Sequence, residues 1–157
     1  MRAAPHNKGC TSLMKKLNQQ ATQIFCRLLK KLGKQQHIKL ESAGFMPLDM
    51  EMLQENILTS WGVAASYSLC HSYILNGDVM RDPEMVFIVI DNRKNEKDLD
   101  GLAIYPQMFQ QDNLGIYEES ISIDNGQIKS FIKTWQHAHC NFANLWLKNI
   151  KEQGFLK

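Results

Sequence analysis

The densest group of side chains able to do chemistry is Asn76-Gly77-Asp78-Val79-Met80-Arg81-Asp82-Pro83-Glu84, directly before the apolar run Met85 to Ile90. Three carboxylates at the mouth of a rigid strand could hold a hard divalent ion, with Asp112 and Glu118 or Glu119 arriving from a later hairpin. Asp78, Arg81, Asp82, Glu84 and Asp112 would then be the candidate catalytic residues of a metal-dependent hydrolase acting on phosphodiesters. Asp82 and Glu84 would be metal ligands, and Arg81 would stabilise negative charge on the substrate. The spacing of Asp78, Asp82 and Glu84 is not that of a calcium loop, and Asp91-Asn92-Arg93-Lys94 lacks the order of a nuclease core. A structural turn accounts for the same residues: Asn-Gly reverses the chain, Asp82-Pro83 sets an extended entry, and Arg81 pairs with an acid. The turn is the expectation, and metal chemistry the alternative.

A second group is His137-Ala138-His139-Cys140, with Cys70-His71 elsewhere. Residues two apart on a helix point about 200° from each other, so His137 and His139 cannot share a metal. His139 could share a metal with Cys70 or His71 only if packing brought them together; it falls on an apolar stripe and is expected to be a hydrogen-bonded core histidine. A nucleophilic Cys140 would need a lowered pKa, which no neighbour in sequence supplies.

The third group is basic. Lys16, Gln20, Gln23, Arg27, Lys30, Lys31 and Lys34 line one face of a helix and are residue types that contact phosphates, glutamine also reading base edges. The same face serves equally as the solvated side of an amphipathic helix, and the strands that follow leave no helix-turn-helix partner.

Charge makes this third group stand out. Of 157 residues, 18 are Lys or Arg and 16 are Asp or Glu. Residues 1–40 hold nine cations (Arg2, Lys8, Lys15, Lys16, Arg27, Lys30, Lys31, Lys34 and Lys39) and no acid, while the rest holds nine cations against 16 acids. Either the basic segment meets an external polyanion or it lies on the acidic body. Four scattered cysteines form no Cys-x-x-Cys pair, no apolar run approaches membrane-spanning length, and no leader-like apolar core opens the chain. A cytoplasmic protein without a membrane span is expected. No cofactor motif is present, so no cofactor is expected.

The elements that must position these groups follow from periodicity. Residues 1–10 read as a flexible tail, and Met14 as an alternative start. A single domain then covers 11–157: the basic helix over about 11–33, the body over 37–157. The helix starts at Thr11 or Ser12 and carries Leu13, Leu17, Ala21, Ile24, Leu28 and Leu32 on its inner face, with Gly33 after its end. His37 to Leu40 and Leu48 to Met52 alternate as strands. A short helix is predicted over about Val63–Leu75, closed by Asn76-Gly77. Met85 to Ile90 is a buried strand; Leu102 to Phe109 and Leu114 to Ile123 are two more. Asp124 or Asn125 caps a final helix to about Glu152 whose stripe includes Ile128, Phe131, Ile132, Trp135, His139, Phe142, Trp146 and Ile150. The result is an α+β class: an antiparallel sheet of about five strands with three helices, in the order α-β-β-α-β-β-β-α.

Three stretches carry a family resemblance: Asn76 to Phe87, Tyr105-Pro106-Gln107-Met108-Phe109 with Asp112 to Tyr117, and Trp146 to Phe155. Together they resemble an uncharacterised bacterial domain family carried mainly on plasmids and integrative elements, over roughly residues 38 to 155. The resemblance implies a bacterial, mobile-element context and supplies no catalytic residues, since the family has no established activity. The expectation is a non-catalytic accessory module that binds an unknown protein or nucleic acid. The alternatives are the metal-dependent hydrolase, and a structural homodimer in which the first helix stripe meets its copy.

Overall fold

The computed structural model describes residues 13–157. The expected tail, Arg2, Lys8 and the caps Thr11 and Ser12 lie outside the described residues.

Helix α1 spans Gln19–Leu32. It begins where Asn18 accepts the Ala21 N–H at 2.8 Å, a side chain satisfying an amide that the helix itself leaves unpaired. It ends at Gly33, whose φ of 59° is disfavoured for residues with a Cβ. Ala21, Ile24, Phe25, Leu28 and Leu32 are buried at steps of three and four. The helix is therefore shorter at its start than its stripe suggested. Met14 and Leu17 are buried, but from a segment in which the Leu17 N–H reaches the Ile104 carbonyl at 2.9 Å.

Eight strands follow: β1 (His37–Leu40), β2 (Leu48–Thr59), β3 (Gly62–Leu75), β4 (Asp78–Asp91), β5 (Leu102–Gln111), β6 (Ile116–Glu119), β7 (Ile121–Asp124) and β8 (Gln127–Phe131). Helix α2 (Lys133–Glu152) closes the chain. The strand order is β6-β5-β4-β3-β2-β8-β7, with β1 also on β2. All pairs are antiparallel except β2 with β8, which is parallel at Leu58 and Gln127. The expected α+β arrangement of about five antiparallel strands and three helices is thus corrected: the described residues are sheet-dominated, with one mixed eight-stranded sheet and two α-helices.

Three local causes account for the correction. Val63–Leu75 is not a helix but most of β3, the centre of the sheet, where Ala64, Ser66 and Ser68 face one way and Ala65, Tyr67 and Leu69 the other. A strand flanked on both sides is half-apolar on both faces, which imitates a helical stripe. Asn76 and Gly77 have φ of 52° and 85°, the two-residue hairpin geometry that matches strand twist, so Asn76-Gly77 joins β3 to β4 instead of capping a helix. Asn125 and Gly126, at 52° and 72°, make a second such hairpin between β7 and β8. The final helix therefore starts at Lys133 and not at Asp124 or Asn125.

β6 and β7 stand at opposite ends of the strand order yet are separated in sequence by Ser120 alone. The Ser120 N–H donates to the Gln107 carbonyl on β5 at 2.8 Å, so the sheet curls back on itself. One core lies between the convex face and the helices, with Phe25, Leu28, Leu48, Met50, Leu69, Phe87, Ile104, Leu147 and Ile150. A second lies inside the curl, with Met14, Ile57, Ala64, Ile88, Ile90, Tyr105 and Ile121.

Candidate functional site

The acidic stretch Asp78 to Glu84 is not a turn before the central strand. It is the first half of β4, and Arg81 organises it. The Arg81 Nε lies 3.0 Å from Glu84 Oε1, and its Nη1 lies 3.3 Å from Asp112 Oδ2. The Arg81 backbone N–H donates to the same Asp112 oxygen at 2.9 Å, and Gln110 Nε2 donates to Oδ1 at 3.0 Å. The Arg81 N–H, the Gln110 amide and the Arg81 charge together hold the Asp112 carboxyl below its usual value, against the opposing effect of burial. Ser68 donates to the second Glu84 oxygen at 2.6 Å. Asp82, joined to Pro83 by a cis peptide, accepts from Gln111 at 2.7 Å. Asp78 is exposed at the hairpin end, and Glu118 turns to α2. Arg81 thus neutralises Glu84 and Asp112, and the other acids disperse. Among the described residues no group of three or more His, Cys, Asp or Glu side chains is placed to hold a metal ion.

His139 is 4% exposed, with Nε2 2.8 Å from Glu118 Oε1, Nδ1 3.2 Å from Ser120 Oγ, and its ring stacked on Phe109. His137 donates to the Leu13 carbonyl at 3.0 Å. The Cys140 thiol donates to the Lys16 carbonyl at 3.2 Å, and burial pushes it up to about 11. Cys70 is pushed up to about 12, by burial first and by the Glu84 charge second. Both are thiols at neutral pH, without the thiolate that nucleophilic attack requires. Cys70 and His71 point to opposite faces of β3, and His71 packs edge-on against Trp146.

The basic residues all reach the outside of the helical layer. Lys16, Gln20, Gln23, Arg27, Lys30 and Lys34 are exposed and Lys31 is half-buried. The α1 stripe that a dimer would have used faces the intramolecular core. Arg27 Nη2 donates to the Leu156 carbonyl at 3.3 Å, and Lys31 Nζ to the Lys157 carbonyl at 3.4 Å, which brings α1 alongside the chain leaving α2. From α2, Lys133, Lys148 and Lys151 are exposed as well; sequence periodicity had not singled them out, although they lie off the buried stripe. Among the described residues the ion pairs of Arg and Lys involve only Arg81, Arg93 and Lys129, all outside the helices. Among the described residues no Asp or Glu carboxylate lies within 4 Å of the helix cations. The basic segment is therefore held by apolar packing, with its charge directed outward rather than onto the acidic sheet.

These features define a small curled-sheet domain with a cationic helical cover. The chain belongs to a family described as a domain of unknown function, DUF6908, whose model matches residues 23–156. The match takes in most of α1, further toward the start than the resemblance over 38 to 155 implied. No curated protein and no solved structure matches the chain. Among the described residues no helix is long and apolar enough to cross a membrane.

Proposed function

We propose that this chain is a non-catalytic accessory module of a mobile element that docks nucleic acid on its helical layer. One observation carries the proposal: the cations of α1 and α2 have no Asp or Glu partner among the described residues, while Glu84 and Asp112, Asp82, and Glu118 are engaged by Arg81, Gln111 and His139 respectively. Exposed cations without acidic partners attract a polyphosphate backbone by releasing its counterions, a sequence-independent attraction suited to Arg27 and Lys30 on α1 and to Lys16 and Lys34 just beyond its two ends. Gln20 and Gln23, exposed between them, supply donors and acceptors for base edges or sugars.

The test is fluorescence anisotropy with a labelled duplex and a labelled single-stranded RNA, at about 50 mM salt, where phosphate contacts are strong. Saturable binding is expected, weakened at least tenfold in Lys30→Glu/Lys34→Glu. Absence of binding, or equal binding by that variant, would overturn the proposal. Capture of an acidic host protein in its place would move the partner to the protein class.

A further inference from the structure

A separate feature lies on the opposite layer. The inner face of the curled sheet carries an open pocket of about 450 Å³, which is the size of small-molecule sites. β3, the middle strand, contributes little bulk there: Ser66 is buried in the wall, and Ser68, two residues along the same face, is the β3 partner of Val86, which pairs in turn with Met108. Irregular strands frame it. Gln107 is left unpaired where the β5 register shifts, since Met108 pairs with Val86 and Pro106 with Phe87. The Gln107 amide turns inward to donate to the Ile121 carbonyl at 2.8 Å, which holds the β7–β8 hairpin over one side. Bulges of this kind re-aim side chains next to binding sites.

The wall chemistry selects a ligand. Among the described residues Glu119 is the one charged residue lining the pocket. Its Oε2 accepts from the Tyr117 hydroxyl at 3.5 Å, and among the described residues no cation lies within ion-pair distance of it. The nearby Glu84, in contrast, is already engaged by Arg81 and Ser68. An aromatic ring beside an uncompensated carboxylate favours a cation, and Val86 and Met108 favour an apolar body.

We propose that the pocket binds a small amphipathic amine, with its ammonium on Glu119 and against the Tyr117 ring, its apolar body over Val86 and Met108, and Ser66 as a hydrogen-bonding group. The test uses the full chain, isotope-labelled for amide-resolved NMR, titrated with phenethylamine and, as the charge-reversed control, with 3-phenylpropionate. Saturable shifts confined to Ser66, Val86, Met108, Tyr117 and Glu119 are expected for the amine. Glu119→Gln should weaken them about tenfold, the loss expected for one charge-assisted hydrogen bond. Glu119 is exposed, so this variant keeps the fold; Val86→Phe, which fills the pocket, should abolish the shifts. No saturable shift, equal binding of the carboxylate, shifts spread over the acidic surface, or unchanged binding by Glu119→Gln would overturn the proposal. Nucleic-acid binding by the helices should be the same in Glu119→Gln, so the two proposals fail separately.

Discussion

The imidazole Nε2 of His139 on α2 lies 2.8 Å from Oε1 of Glu118 on β6, and the other ring nitrogen meets Ser120, the residue at which β6 turns into β7. One side chain therefore fastens the helix to both sides of the kink that curls the sheet. Ser120 Oγ also donates to the Gln107 carbonyl at 3.1 Å, so the kink is tied to β5 by side chain as well as by backbone. His139→Ala should destabilise the protein by about 2–4 kcal/mol, from the lost contacts and the polar groups left without partners. Glu118→Gln, which keeps an acceptor, should cost about 1 kcal/mol or less. Urea unfolding of the two variants checks the ranking, and an equal, small effect of both would contradict it.

His71 makes stability depend on pH. Burial lowers its pKa below the ordinary 6.5, against the opposing hydrogen bond to the Pro47 carbonyl. In the window below 6.5 the unfolded chain therefore binds more protons than the folded one, and stability falls as pH falls. His71→Gln, which retains an N–H donor for Pro47, should flatten the dependence between about pH 6.5 and 5. Thermal unfolding across that range measures it.

Asp112 acts in the same direction at lower pH. Its folded pKa is depressed below 3.8 by the Arg81 N–H, Gln110 and the Arg81 charge, so its contribution is present above the unfolded value and lost as pH falls through the folded one. Asp112→Asn should remove that part of the acid sensitivity. An acid-unfolding curve superimposable on that of the unaltered protein would refute the role given to Arg81.

Two glycines are required for different reasons, and substitution separates them. Gly77 has open space around a built Cβ, so Gly77→Ala meets only the strain of φ 85°, about 1–2 kcal/mol. Gly101 has no such φ, but a Cβ there would lie 2.8 Å from the Arg93 Cα and 2.9 Å from the Asn92 carbonyl oxygen. Gly101→Ala should cost about 1–3 kcal/mol by displacing the loop after β4. Gly77→Asn, a residue that tolerates the left-handed region, should recover most of the first loss, whereas no side chain at 101 should recover the second.

How much of this was legible varies along the chain for physical reasons. The α1 stripe, the His37–Leu40 strand and the apolar run within β4 were readable because each has a one-sided or uniformly buried environment. β3 was not: Ala64, Ala65 and Leu69 suit a helix, and only pairing with β2 and β4 on both sides decides for a strand. The β7–β8 hairpin was concealed because Ile128, Phe131 and Trp135 happen to continue the α2 spacing, although Asn125-Gly126 is a hairpin signal. In the acidic stretch, the pairing of Arg81 with an acid was foreseeable in kind, and Asp112 was among the candidates. The His139–Glu118 contact joins residues 21 apart and has no local signature. Lys148 and Lys151 joined the cationic layer only once α2 was placed beside α1.

The central claim, that the helical layer is a phosphate-binding surface, is tested most directly by the slope of log binding constant against log salt for a labelled duplex. Contact with about five phosphates predicts a slope near −4.5 and a loss of about 10²–10³-fold between roughly 50 and 200 mM salt. Lys30→Ala and Lys34→Ala should each flatten the slope by about one unit. Affinity indifferent to salt, or an unchanged slope in both variants, would contradict the account.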